Sequence, residues 1–224
     1  MKIIAALGYQ DCQILDLTGP LQVFASANQA LGYEAYQLKI VGVDTHPICT
    51  NSGMKILPDL AFSDLMDADT LLLSGGRGVK ALLHNDELID WVKQSAKRVN
   101  RIASVCSGAF LLAEAGLLKG KKAVTHWKSC SLLDKNYEDI EVENDAIWLK
   151  QGNLYTSAGV TSGIDLALAL VEEDFGHGIT MDVARELVVF VKRPGGQAQF
   201  STQLNAQNKA TGVVAKAQTY IQKT

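Results

Sequence analysis

The run RIASVCSGAFLLAEAGLL at residues 101–118 constrains the fold more than any other stretch of the chain. Its apolar segment 102–105 ends at Cys106, Ser107 and Gly108 follow, and helix-like sequence begins at Ala109. This predicts strand, sharp turn and helix, with the thiol on the turn. Such an elbow lifts a side chain out of a sheet, and the N–H groups of the next helix point toward it. The same geometry predicts a thiol that ionises more readily than a free cysteine, because a helix N-terminus favours the thiolate. The competing reading is a small buried residue, the commoner fate of a free cysteine.

Around the elbow, apolar runs alternate with amphipathic ones. Strands are predicted at 2–7, 36–43, 70–73 and 123–124, and a small β excursion at 51–60 with Gly53 at its turn. Segments 141–149 and 153–156 flank Gln151-Gly152 as a hairpin. Helices are predicted at 19–31, with Pro20 where its missing N–H costs little, and at 86–97, 161–173 and 181–191. Strands alternating with helices argue for an open, mostly parallel sheet covered on both faces. Pro194-Gly195-Gly196 punctuates the end of the last long helix. After it the polar stretch 197–212 reads as a linker, and 213–221 as the start of another helix. The expected division is a domain over 1–200 and a linker with a helix start over 201–224.

Composition narrows the function classes. The 224 residues are 47% hydrophobic and 20% charged, so a full core is expected. A net charge of −3 gives no electrostatic footprint for nucleic acid or anionic membranes. No run is long and apolar enough for a membrane span, and the N-terminus lacks a signal-peptide pattern, so a cytoplasmic location is expected. The four cysteines, Cys12, Cys49, Cys106 and Cys130, make no CxxC and are expected to be free thiols. The four histidines are scattered, with no HExxH, so no metal or other cofactor is expected.

In an open parallel sheet, ligands bind at the carboxyl ends of the strands. Cys106 lies there. So does Ser74-Gly75-Gly76, where the Gly76 N–H is positioned to pair with that of Ser107 as an oxyanion hole; a plain tight turn is the alternative. Asp16, between two leucines, reads either as a cap for a helix starting at Gly19 or as a carboxyl group beside Cys106 that holds or transfers a proton. His126 also follows a short strand. It reads either as a wall of the Cys106 pocket or as a structural histidine.

These motifs, LDLTGP at 15–20, SGG at 74–76, SVCSGA at 104–109, THW at 125–127 and TSAGVTSGID at 156–165, resemble the ThiJ/PfpI superfamily over nearly the whole chain up to about residue 200. The resemblance implies the flavodoxin-like, class I glutamine-amidotransferase-like fold, a reactive cysteine at Cys106, an acid at Asp16 and a homodimer. Two branches compete. In isocyanide hydratases, which convert an isonitrile to an N-substituted formamide, the acid and a Cys–Thr pair carry the reaction; here Ser107 stands in place of the threonine and keeps the hydroxyl. In the N-terminal sensing domains of GlxA-type AraC-family regulators, the sequence RPGGQAQFS at 193–201 is the usual end of the domain. That signature favours a small-molecule sensor, its pocket built from Cys106, Asp16, Gly75, Gly76, Ser107 and His126. The sensor's DNA-binding domain would follow residue 224, so this chain alone is not expected to bind nucleic acid. A glyoxalase-like activity on 2-oxoaldehydes is a weaker enzyme option. Ser107 argues against PfpI-type peptidases, which carry a histidine after the nucleophile. His177, the only downstream candidate for an amidotransferase triad, has the wrong surroundings.

Overall fold

Continuous apolar runs become strands buried on both faces, and Thr70–Leu73 and Arg101–Val105 are buried at every residue. The computed structural model describes residues 1–193 and 195–197. In chain order the elements are β1 (Lys2–Leu7), α1 (Ile14–Leu31), β2 (Tyr36–Gly42), β3 (Ile48–Cys49), β4 (Lys55–Ile56), β5 (Leu60–Ala61), β6 (Thr70–Leu73), α2 (Val79–Leu82), α3 (Asp86–Ser95), β7 (Arg101–Val105), α4 (Ala109–Glu114), β8 (Lys122–Ala123), α5 (Cys130–Asn136), β9 (Glu141–Val142), β10 (Trp148–Gln151), β11 (Leu154–Ser157) and α6 (Ser162–Glu186).

Seven strands form one sheet in the order β10-β11-β7-β6-β1-β2-β5, parallel except for β10, which runs antiparallel to β11. The register pairs Leu7 with Leu73, Leu73 with Ser104, and Val105 with Ser157. The chain therefore leaves the sheet at Gly8, Ser74, Cys106 and Ala158 along a single edge, and four loops meet there. Alternation along the strands divides the core between the two faces. Leu71, Leu73 and Ile102 pack with Leu88 of α3 and Leu111 of α4, while Leu72 and Ala103 pack with Phe24 of α1 and Leu170 of α6.

The fold is the expected one, with local corrections. Helix α1 begins at Ile14 rather than Gly19, so Asp16 lies in its first turn and Pro20 inside it. The chain turns into α1 at once after the 8–13 loop, and the close approach of α6 holds Pro20 in place: a Cβ on Gly163 would lie 3.0 Å from the Pro20 ring. The two predicted C-terminal helices are one run, α6, broken at Gly176 (φ 79°) and ending at Glu186. The 51–60 excursion is shifted: β3 and β4 make a small hairpin whose turn holds Gly53 at φ 81°, and β5 joins the main sheet. Segment 141–149 divides into β9, paired with β8, and β10, which makes the expected hairpin with β11. The short α2 and α5 carry no periodic signal of their own. Residues 201–224, with the predicted linker and helix start, lie outside the described residues.

At the opposite edge of the sheet, α6 is pinned by charge. Asp174 accepts Nη2 of Arg101 at 2.8 Å and the Tyr36 hydroxyl at 2.7 Å, and it also pairs with Lys2. Burial raises the Asp174 pKa, but Arg101, Lys2 and Tyr36 together hold it below the usual carboxylate range. Both Arg101 and Asp174 have side chains less than a tenth exposed. Removing one partner would strand a buried charge, so Asp174→Ala is expected to cost about 3–5 kcal/mol in urea unfolding. An exposed control, Asp182→Ala, should cost less than about 1 kcal/mol.

Candidate functional site

Cys106 occupies the sharpest point of the sheet edge. Val105 is still extended, and Cys106 turns into the left-handed region at φ 58°. This conformation costs an L-residue about 1–2 kcal/mol. It is held from both sides: the Cys106 N–H donates to Ala158 O at 2.8 Å, and Thr125 Oγ1 donates to Cys106 O at 2.7 Å. Gly108 makes the elbow possible, because a Cβ there would lie 2.2 Å from Leu73 O.

Asp16 lies directly behind the thiol, 1% exposed. Its Oδ2 accepts the Gly75 N–H and its Oδ1 the Val160 N–H, each at 3.1 Å, and the Cys106 thiol donates to it. Gly75 has to be glycine, since a Cβ would meet Asp16 Oδ2 and Cys106 Cβ at 2.7 Å. Burial pushes the Asp16 carboxyl up to about 7, against the pull of its three hydrogen bonds. Burial, and then the Asp16 charge, push the Cys106 thiol up to about 12. The expectation of an easily ionised thiol is thereby overturned. Helix α4 is only six residues long, and its N-terminal field is outweighed by desolvation and a neighbouring carboxylate. Below about pH 7 both groups carry a proton; above it Asp16 ionises and the pair keeps one.

The glycine loop and Ser107 are tied together. The Gly76 N–H donates to Ser107 Oγ at 2.9 Å, and Ser107 Oγ lies 3.1 Å from Gly76 O. The Gly76 N–H is therefore already used, and the Gly75 N–H serves Asp16. The donors that favour a thiolate are the backbone N–H groups of Ser107 and Val160. Val160, which sequence reasoning missed, is a β-branched residue at φ 57°. Such a conformation is strained for a β-branched residue; only the glycine-rich run around it hinted at a special turn.

Cys106, Ser107, Gly76, His126 and Val160 line one cavity of about 410 Å³, and Asp16 lies behind its wall. His126 turns its Cδ2 edge to Gly159, where a Cβ would sit 1.9 Å from that atom, and its Nδ1 accepts the Lys128 N–H at 3.3 Å. Burial and then Lys128 lower its pKa, which keeps the imidazole neutral. His177, exposed, pairs with Glu172 at 2.8 Å and is not part of the cavity wall. On the other side of His126 a smaller cavity of about 260 Å³ is lined by Trp127, Arg193 and Gln197. Here Arg193 pairs with Asp165 at 2.6 Å, and the Gln197 amide donates to Thr125 O at 3.2 Å. All four cysteines are free, and among the described residues no His, Cys, Asp and Glu side chains gather into a metal site. No helix of the described chain is long and apolar enough to cross a membrane.

A sharp strand-turn-helix elbow on a mostly parallel sheet, with a buried acid from the first turn of α1 against its cysteine, defines a class, and comparison with known proteins agrees. The DJ-1/PfpI family pattern matches residues 1–173, and the chain belongs to that family. It is 35% identical over 173 residues to an isonitrile hydratase of Pseudomonas putida, covering 77% of this chain and 72% of that protein. It is 27% identical over 162 residues to the HTH-type transcriptional regulator CdhR of Pseudomonas aeruginosa, covering 72% of this chain but 47% of the regulator. The chain thus spans about half the length of that regulator. Among solved structures, a THiJ/PfpI family protein from Pseudomonas syringae superimposes with a TM-score of 0.76 at 28% identity, covering 91% of this chain and 84% of that one. The chain is thus related both to a hydratase and to regulators whose remaining length lies beyond the match.

The raised Asp16 pKa has a measurable consequence. The folded chain keeps this proton up to about pH 7, whereas an unfolded aspartate releases it at 3.8. The folded state therefore binds more protons between those values, and stability falls as pH rises through that window. Three units correspond to a ceiling of about 4 kcal/mol. Asp16→Asn is expected to flatten the decline between about pH 4 and 7, whatever its offset in absolute stability; urea midpoints across that range check it. At the elbow, Cys106→Gly should exceed Cys106→Ala in stability by about 1 kcal/mol, because only glycine relieves the positive φ.

Proposed function

We propose that this protein is a cysteine-dependent hydratase of the isonitrile hydratase type. The observation that carries the reading is the buried Asp16 carboxyl held against the Cys106 thiol. The relative in Pseudomonas putida, 35% identical, supports it. With the proton on Asp16, the Cys106 thiolate attacks the terminal carbon of the isonitrile and forms the S–C bond, while Asp16 delivers its proton to that carbon. The product is a thioimidate. Water then adds to the same carbon, leaving one proton on Asp16, and the C–S bond breaks to return the thiolate. The second water proton ends on nitrogen, and an N-substituted formamide leaves. Ser107 Oγ, fixed by Gly76, and the Ser107 and Val160 N–H groups supply the polar contacts that orient the water and steady the developing charge. No metal or other cofactor enters this scheme.

Incubation with a neutral alkyl isonitrile, followed by NMR for the formamide, tests the proposal. The wild-type chain is expected to turn over, Cys106→Ala to show none, and Asp16→Asn to fall by about a hundredfold or more. A wild-type rate no higher than that of Cys106→Ala would reject the hydratase reading.

The C-terminal signature favours a second reading, a small-molecule-sensing domain of an AraC-type regulator. Gln197 donates to Thr125 O, and Thr125 Oγ1 donates to Cys106 O. A hydrogen-bonded path thus joins the cavity to Gln197 in that signature segment. A ligand seated against Cys106 and His126 would shift that segment and, in a homodimer, whatever is attached to it. Small nitrogenous metabolites should then quench Trp127 fluorescence and alter sedimentation of the chain. Saturating ligands that change neither would remove this reading.

A further inference from the structure

The charge around the Cys106 cavity is one-sided. Arg77 and Lys80 line it from the loop and helix that follow the glycine turn, and Lys128 lines it from the segment beyond His126. None of the residues lining the cavity is an aspartate or glutamate, although the whole chain carries a net charge of −3. Among the described residues none of the three cations forms an ion pair. Lys128 is placed over the Trp127 ring, 5.2 Å from its centroid, which orients it without neutralising it. Three unpaired cations on two sides of a concave, half-open site focus a positive potential into it. The Asp16 carboxyl is walled off behind the thiol, and burial pushes it up to about 7.

We propose that the Cys106 cavity selects a small molecule bearing a carboxylate beside the carbon that meets the thiol, with Arg77, Lys80 and Lys128 as its anion-recognising side chains. This rests on the reading above that the cavity at Cys106 is the working site, and it names the substrate class for it. The neutral His126 ring and the apolar Phe110, Leu132 and Val160 line the remainder of the cavity and suit a short uncharged body.

Two nearly isosteric alkylating agents test the charge preference without any turnover. Iodoacetate and iodoacetamide both form an S–CH2 bond with the thiolate and expel iodide; only the first is anionic. The rate of each at Cys106 is read by peptide mass spectrometry, which separates it from the exposed Cys49. The iodoacetate-to-iodoacetamide ratio at Cys106 is expected to exceed that of N-acetylcysteinamide by about tenfold or more at low salt. It should collapse in the triple variant Arg77→Gln/Lys80→Gln/Lys128→Gln and at about 0.3 M salt, where exposed charges are screened. Because the three residues are exposed, folding is not at stake, and the ratio cancels any change in thiol ionisation. A ratio no higher than that of the free thiol, or one unchanged in the triple variant, would overturn the proposal. Selective alkylation without formamide formation would remove the hydratase reading and leave the anion site standing. Turnover of a neutral isonitrile with unselective alkylation would do the reverse.

Discussion

A carboxyl group held out of water against a thiol organises this molecule's working edge. Asp16 accepts one N–H from the loop after β6 and one from the loop after β11, while it touches the residue at the end of β7. Three loops are thereby tied to the first turn of α1. Ionising such a group is unfavourable, and the structure partly offsets the cost with backbone donors. The remaining penalty is what leaves the proton available near neutral pH. The same desolvation that weakens the acid also weakens the thiol, so the reactivity of the pair depends on how their protons are distributed.

The elbow shows how strain is carried at this edge. Cys106 and Val160 both adopt positive φ, and both contribute to the contacts around the thiol. Neither conformation is favourable in isolation. Each is over-determined by its neighbours: Cys106 by Ala158 and Thr125, and Val160 by the carboxylate that accepts its N–H. The glycines around them are there for clearance. Gly75, Gly108 and Gly159 each bring backbone to a distance at which a Cβ would collide. The opposite edge of the sheet resists distortion through the Asp174 cluster, so local strain at the loops is set against a rigid base.

Much of this was legible in the chain itself. The run at 101–118 announced a strand, a turn and a helix, because the apolar period changes at a residue that fits neither pattern. Alternating runs announced the parallel sheet, and SGG and LDLTGP marked the loop and the helix start that flank the thiol. Pro20 misled the helix boundary: proline is common in a first turn, and only the packing of Gly163 against its ring shows why it is tolerated in the interior. The oxyanion role given to the Gly76 N–H overlooked that Ser107 Oγ lies within hydrogen-bonding reach of it. Val160 was invisible because a valine in a glycine-rich run carries no sign of its φ.

The sequence by itself determined the class of fold and the strand-turn-helix that carries Cys106, since these follow from hydrophobic period and from residue types rare in such positions. Tertiary structure alone decided the protonation of Asp16 and Cys106, for burial and a facing charge are properties of neighbours brought from distant parts of the chain. It also decided that Arg77, Lys80 and Lys128, scattered along the sequence, share one cavity mouth. Charge acts through space, and a composition with a net negative sign gives no hint of where a local excess of positive charge will gather.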